Sequence, residues 1–163
     1  MLRDLDVALH WSAEAAQGRY ELDAILGYIA GLPTYSLMAE LASGRVLSGV
    51  LPPVGAMPTA LVAAAPLRWR FARDFSLEYA RMHAARGNMV GALAQAAKAT
   101  FEEAHARVCE QGQWVLNEKH LLAAAGIETV DRLFAAPPPG ARDAMEWLHA
   151  LANVLDGARS ATV

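Results

Sequence analysis

The chain has 163 residues and a mass of 17.4 kDa, the size of one globular domain rather than of a multidomain enzyme. Its 14 Lys and Arg against 17 Asp and Glu give a formal net charge of −3, so no general basic field indicates a nucleic-acid partner. Hydrophobic residues make up 55% of the chain, which excludes disorder. Because 35 Ala and 21 Leu far outnumber the 14 Val and Ile, we expect one all-α domain spanning residues 1–163.

The cysteine content and the longest uncharged segment indicate in which cellular compartment the protein lies and whether it crosses a membrane. The single Cys109 excludes an intrachain disulfide and a cysteine-built zinc site, which favours a reducing compartment. The first residues carry charge and no continuous apolar run, unlike a signal peptide. The uncharged run from Val46 to Leu67 contains four prolines and two glycines, so it does not predict a membrane-spanning helix. We therefore expect a cytoplasmic protein with no membrane partner.

The first third of the chain predicts two helices separated by an ambiguous segment. Residues 3–17 have apolar residues at helical spacing and end at Gly18. Residues 19–25 alternate apolar with polar side chains, which fits a short strand, although so short a segment can also be irregular or helical. A second helix is predicted from Thr34 to about Ser48. Its apolar side is formed by Leu37, Met38, Leu41, Val46 and Leu47.

A helical hairpin over residues 67–112 is the main predicted feature. Proline inside a helix costs about 3 kcal/mol and so collects at helix borders, and residues 67–136 contain none. Gly87 is predicted to end the first helix, and Asn88 to cap the second, which runs to Gly112. The first helix is predicted to face the core with an apolar stripe at steps of three or four residues, formed by Leu67, Phe71, Phe75, Tyr79 and Met82.

The last third of the chain predicts three further helices. Asn117 is placed to cap a short helix that ends at Gly126, a second covers about residues 128–135, and an amphipathic helix over 141–156 closes the chain. Together the elements predict an all-α fold, a four- to five-helix up-and-down bundle, with at most a short strand-like segment near residues 19–25.

Two pairs of residues that include carboxylates could bind a metal or act in catalysis, and each pair also has a purely structural interpretation. Asp4 and Asp6 have the spacing of metal-binding carboxylates, but acids that start a helix are favoured by its dipole and explain the pair better. Glu102 and His105 lie three residues apart on one helix edge, where they can form an acid/base pair, two metal ligands or a polar edge beside the core.

A third pair lies on the last predicted helix. Arg142 and His149 are seven residues apart and therefore lie on one face. The pair resembles the Arg…His signature of HEPN-type helical ribonucleases, which implies action on an RNA 2′-hydroxyl and the scissile phosphate. A surface arginine and histidine that share a helix face by chance is the alternative.

Three short segments carry a longer resemblance: Gly31-Leu32-Pro33-Thr34-Tyr35, Glu40-Leu41-Ala42 and Gln113-Trp114-Val115-Leu116-Asn117-Glu118-Lys119. With their surroundings, from Leu2 to about Phe134, they resemble the helical carboxy-terminal half of bacterial nucleotidyltransferase-like proteins of the aminoglycoside-nucleotidyltransferase type. In that family a mixed-sheet domain with a Gly-Ser turn and three carboxylates comes first and binds metal and nucleotide. The helical bundle then binds the acceptor substrate.

The resemblance begins just after the strand that holds the family's last catalytic carboxylate. We therefore expect no nucleotidyl transfer from this chain alone and no metal site in it. Mg²⁺ and a nucleoside triphosphate would bind only to a catalytic domain supplied separately, for instance by a separately encoded subunit. A remnant that has lost this domain is the alternative. Glu102, with His105, is the candidate base for an acceptor hydroxyl. The candidate substrate-binding residues are Tyr35, Glu40, Trp114, Asn117 and Lys119.

Two further functions compete with the substrate-binding module. One is the HEPN-like ribonuclease or toxin that would use Arg142 and His149. The other is a structural, oligomerising bundle whose alanine-rich faces make close contacts between chains. Because a bundle without its first domain exposes an apolar contact surface, we expect a homodimer, and we expect no nucleic-acid partner for the substrate-binding module.

Overall fold

The structure is a computed structural model that describes residues 2–25, 27–43, 50 and 53–157. Within these residues the fold is all-α apart from one small two-stranded antiparallel sheet, as the composition predicts. The strands are β1 (Leu22–Asp23) and β2 (Leu32–Pro33). The helices are α1 (Leu2–Ala15), α2 (Ser36–Ser43), α3 (Thr59–Ala85), α4 (Met89–Glu110), α5 (Leu121–Ala124), α6 (Asp131–Ala135) and α7 (Ala141–Gly157).

The ambiguous segment at residues 19–25 contains a strand. Leu22 pairs with Pro33 and Asp23 with Leu32, so two residues of this segment form a strand and the rest is irregular. The predicted helix from Thr34 is observed as α2, which begins at Ser36. Val46, Leu47 and Ser48, which the sequence places at the end of that helix, lie outside the described residues.

Helices α3 and α4 form the predicted hairpin at the centre of the fold, and α7 packs against both. Gly87 has a φ of +73°, which a residue without a Cβ adopts at no steric cost. The Asn88 side chain accepts a hydrogen bond from Gly91 N at 3.0 Å and caps α4 as predicted. The helices lie close together because small residues are buried on both: Ala80, Ala84, Ala92, Ala96 and Ala99.

The first helix of the hairpin begins earlier than predicted. It starts at Thr59 rather than Leu67, and Pro66 stands inside it and is buried. The rule that proline marks a border fails here because Pro66 follows three consecutive alanines, the best helix formers, and its ring is removed from water. The helix forgoes one backbone hydrogen bond to the Val62 carbonyl at this point.

The core face of α3 is also different from the predicted one. The large apolar residues at positions 67, 71, 75, 79 and 82 are 39–75% exposed rather than buried. The buried face of α3 instead consists of Leu61, Ala65, Trp69, Arg73, Ser76, Leu77, Ala80 and Ala84. Most of these buried side chains are small or polar, whereas the large apolar side chains lie on the opposite face. The hydrophobic pattern therefore predicted the wrong face of the helix as buried.

Short elements complete the carboxy-terminal third. Asn117 does not cap α5; its Oδ1 accepts from Lys119 N at 2.9 Å in a local turn, and His120 occupies the N-cap position. The predicted helix over 128–135 is divided into a 3-10 turn at Glu128–Val130 followed by α6. The closing helix α7 matches its prediction to within one residue.

Two apolar clusters lie along the hairpin, and Phe101 contacts both. One joins α1 and the β1–β2 region to the early part of α3 through Tyr20, Tyr35, Leu61 and Trp69. The other joins the hairpin turn to α5 and α7 and is lined by Leu77, Val108, Leu121, Ile127, Leu148 and Leu151.

A buried ion cluster links α3, α4 and α7. Glu103 is fully buried, with Arg73 Nη1 at 2.8 Å and Arg107 Nε at 3.0 Å from its carboxylate oxygens. Arg107 also donates to the Leu155 carbonyl at 2.5 Å, and Arg73 reaches Asp156 at 3.1 Å. The charges of Arg73 and Glu103 therefore neutralise each other inside the bundle.

Candidate functional site

The connection between α4 and α5 forms a pocket that contains two of the predicted substrate-binding residues. Gly112, with a φ of +66°, ends α4, and Gln113 N bonds back to the Val108 carbonyl at 3.1 Å. The chain then turns back over the helix. Together they form an open surface pocket of about 250 Å³, which we call the Trp114 pocket. Its lining includes Val108, Trp114, Asn117, His120, Leu121 and Ala124.

The Trp114 pocket combines an apolar floor with a polar edge. Val108 and Leu121 are buried and supply the floor, whereas the half-buried Trp114 indole supplies a flat wall. The Asn117 carbonyl oxygen is used by Lys119 N, which leaves the side-chain NH₂ as a donor. The His120 imidazole lies exposed at the same edge. This arrangement suits a flat, polar ring that stacks on the indole and exchanges hydrogen bonds at its rim.

Trp114 is held in place from its other side. Its Nε1 donates to the Gly55 carbonyl at 3.0 Å, which fixes the orientation of the ring. The same indole lines a smaller cavity of about 110 Å³ between α1, α2 and residues 53–58. That second cavity is apolar, with Ala8, Met38 and Pro58 among its walls.

Tyr35 is placed far from solvent, in a chain of buried contacts. Its hydroxyl accepts from Trp69 Nε1 at 2.9 Å and lies 3.3 Å from the Cys109 sulfur. Trp69 stacks on His105, with ring centroids 4.3 Å apart and planes 7° apart. His105 Nε2 lies 3.9 Å from a Glu118 carboxylate oxygen, which is too long for a hydrogen bond.

Glu118 fastens the loop before β2 to the rest of the molecule. Its carboxylate accepts from Ile29 N at 2.6 Å and from Ala30 N at 2.8 Å. Burial acts to raise the pKa of Glu118, but His105 and the two backbone donors outweigh it and hold that pKa below its ordinary value. Burial lowers the pKa of His105, which the neighbouring Glu118 opposes, so the neutral imidazole is favoured.

Cys109 is the buried thiol that the sequence predicts. Burial raises its pKa to about 11, a shift that the hydrogen bond with Tyr35 opposes. The pKa of Tyr35 is raised well above its ordinary value, chiefly by burial. Both groups are neutral at physiological pH, and neither is exposed to a ligand in solution.

Glu102 projects from the same helix as His105 into a different environment. Its side chain is 2% exposed and its Oε2 has no hydrogen-bond partner. Burial raises the pKa of Glu102 to about 6, against the Ser76 hydroxyl and the Lys98 ammonium, whose nitrogen lies 3.8 Å from Oε1. Lys98 in turn lines an open groove of about 490 Å³ beside residues 22–31. Glu102 does not line the Trp114 pocket.

The remaining candidates lie on the surface. Glu40 is exposed on α2, and Lys119 is exposed beside the Trp114 pocket without lining it. Arg142 and His149 are both exposed on α7, two turns apart, as the spacing predicts. Trp114 and Asn117 therefore line one pocket, and Tyr35, Glu40, Glu102 and His105 do not line it.

Sequence reasoning did not find three residues of this region. Gln113 and His120 line the Trp114 pocket, and Glu118 anchors the loop beside it. The spacing of Trp114, Asn117 and His120, three residues apart in a segment without helical periodicity, was the available signal. Their convergence depends on the turn at Gly112, which the pattern does not specify.

Across the described residues, no group of three or more His, Cys, Asp or Glu side chains is arranged to hold a metal ion. In the same part of the chain, no helix has the length and apolar character needed to cross a membrane. Comparison of the chain with protein-family models, with curated proteins and with solved structures found no match.

Proposed function

We propose that the chain is a substrate-binding helical-bundle module of the nucleotidyltransferase superfamily, and that the Trp114 pocket holds the acceptor substrate. The observation that carries the proposal is the convergence of Trp114, Asn117 and His120 on one cavity of about 250 Å³. The segment Gln113–Lys119, which carries the resemblance to that superfamily, contributes two of these three residues.

The chemistry of the pocket favours a polar ring such as an amino sugar. An indole face stacks with the apolar face of a sugar, and the amide and imidazole at the rim exchange hydrogen bonds with its hydroxyl and amino groups. A pocket of this volume accepts one or two such rings. The apolar floor keeps water from the stacked face.

The proposal assigns nucleotide chemistry to another polypeptide. A catalytic subunit, encoded separately and present in the same cytoplasm, would bring Mg²⁺ and the nucleoside triphosphate, and this chain would present the acceptor. Glu102 is then kept as the base only if complex formation opens a path to it, because its carboxylate is buried in the isolated chain.

Calorimetric titration with kanamycin tests the proposal directly. We expect saturable binding, and we expect Trp114→Leu to weaken it about tenfold or more, because ring stacking contributes about 1–3 kcal/mol. Trp11→Leu is the matched control, since Trp11 is a half-buried tryptophan on α1 that does not line the Trp114 pocket. It leaves the affinity unchanged.

Two results would overturn the proposal. One is the absence of kanamycin binding, or binding that Trp114→Leu and Trp11→Leu weaken equally. The other is transfer of AMP to kanamycin by the purified chain with Mg²⁺ and ATP alone, which would show that the chain catalyses the reaction without a second subunit. Far-UV circular dichroism of each variant verifies that the fold is intact.

A further inference from the structure

Helix α3 carries an exposed row of large apolar side chains on the face that points away from α4. We call this row the α3 stripe: Leu67, Phe71, Phe75, Tyr79 and Met82, which are 71%, 75%, 58%, 41% and 39% exposed. It extends over about 22 Å of helix. Single exposed apolar residues are common on protein surfaces, but a continuous row of five is not.

We propose that the α3 stripe is a homodimer interface, in which α3 of one copy packs antiparallel on α3 of a second copy. The stripe is nearly symmetric about Phe75. Phe71 and Tyr79 lie four residues to either side of it, and Leu67 and Met82 lie eight and seven residues away. A two-fold axis at Phe75 therefore brings Phe71 of each copy onto Tyr79 of the other, and Leu67 onto Met82.

The spacing of the stripe also fits helix-on-helix packing. Four of its residues follow one another at steps of four, which forms a continuous ridge inclined to the helix axis. Two such ridges lie parallel along their full length when the helices cross at about −50°, the commonest packing angle in globular proteins. The contact between Phe75 and Tyr79, with centroids 4.7 Å apart, gives the ridge a fixed aromatic centre.

The area of the stripe approaches what a stable dimer requires. With about 200 Å² for an aromatic side chain and about 100 Å² for an aliphatic one, the exposed fractions amount to roughly 450 Å² for each copy. Two copies would bury roughly 900 Å² from the stripe alone, which is close to the roughly 1,000 Å² expected of a specific interface.

The charged residues beside the stripe do not oppose self-association. Asp74 is 2.6 Å from Arg73 of its own helix, and Glu78 is 3.3 Å from Arg81. Arg68 lies 3.6 Å from Glu21 and over the Tyr20 ring. Because each charge has a partner within its own chain, two copies meet without an unpaired like charge facing another.

The alanines between α3 and α4 do not serve the same purpose. Ala80, Ala84, Ala92 and Ala96 are buried between α3 and α4 of a single chain, so they are not available for contact between chains. The α3 stripe, three of whose five residues are aromatic, is the apolar surface that α3 leaves exposed for a second copy.

The mass of the purified chain in solution tests the proposal. Size-exclusion chromatography with light scattering at micromolar concentrations is expected to give twice 17.4 kDa. Phe71→Glu is expected to raise the dissociation constant at least about 30-fold. Val90→Glu is the matched control, because Val90 is 82% exposed and lies outside the stripe, and it leaves the dimer intact.

Crosslinking identifies the geometry independently of the charge variant. In a dimer with its two-fold axis at Phe75, the Phe75→Cys variant forms an interchain disulfide under mild oxidation, whereas Val90→Cys does not. The native Cys109 is fully buried and contributes no background. If the chain is monomeric at 100 μM, the proposal is overturned, and the α3 stripe would have to be covered by a different protein. A dimer that persists in Phe71→Glu, or the absence of a Phe75→Cys crosslink in a dimer, overturns it equally.

Discussion

Replacing Glu102 by Gln is expected to stabilise the protein at neutral pH. The pKa of Glu102 is about 6 in the folded chain, against an ordinary value of 4.5, because the carboxyl is buried. The folded state therefore holds the proton more tightly than the unfolded state, and stability falls as the pH rises from about 4.5 through 6. Each pH unit of difference between the two pKa values is worth about 1.4 kcal/mol, so ionised Glu102 costs about 2 kcal/mol at pH 7.

Glutamine removes that cost while keeping the shape of the side chain. It can still accept from the Ser76 hydroxyl, and it forgoes a pair with the partly exposed Lys98 at 3.8 Å, which is worth a few tenths of a kcal/mol. We expect Glu102→Gln to be about 1–2 kcal/mol more stable than the parent at pH 7 and nearly equal to it at pH 4.5.

Urea unfolding of the parent and of Glu102→Gln at pH 4.5, 5.5 and 7 measures this difference. Because the two proteins share every other titrating group, subtraction isolates Glu102 from the opposite effects of His105 and Glu118. Glu128→Gln, at an exposed position, is the control and leaves the curve unchanged. A variant that is less stable than the parent at pH 7, or a difference that is constant with pH, would refute the reasoning.

Two further predictions concern other groups. Glu103→Ala is expected to destabilise the fold by about 3–5 kcal/mol in chemical unfolding, because it removes the buried carboxylate that Arg107 and Arg73 share, although Arg73 keeps Asp74 and Asp156. A loss below about 1 kcal/mol would contradict this account of the ion cluster. Arg142 and His149 are predicted to have no role in RNA cleavage, so incubation of the purified chain with single-stranded RNA should give no cleavage products. RNA cleavage that His149→Ala abolishes would establish the HEPN-like alternative instead.

The sequence predicted the order and the type of most elements. Gly87, Asn88 and Gly112 marked the hairpin because their conformations or side-chain caps are local properties. The start of α3 was harder to predict, since Pro66 is tolerated inside a helix only in its particular alanine-rich and buried surroundings.

The grouping of residues at the candidate site was predicted only in part, because tertiary contacts decide which residues of one segment converge. Trp114 and Asn117 belong to the segment that carries the resemblance, and the turn at Gly112 brings them to one pocket. Glu102 and His105 lie three residues apart on one helix, yet one contacts Lys98 and the other stacks on Trp69. The spacing of two residues on a helix gives the angle between their side chains, but it does not predict which residues of other elements each side chain contacts.

The middle of α3 is amphipathic in the reverse of the usual sense, and this explains why its core face was predicted wrongly. Arg73 and Ser76 point inward, while Phe71 and Phe75 point to solvent. The inward arginine is neutralised by Asp74 beside it, by Glu103 on α4 and by Asp156 on α7, and the last two pairings join distant parts of the chain that no local pattern reveals. The outward aromatics have no such partner in the described part of the chain, and their burial by a second copy would restore the ordinary balance of apolar surface. The same helix satisfies its polar face within one chain, and in the proposed dimer its apolar face would be covered by the second copy.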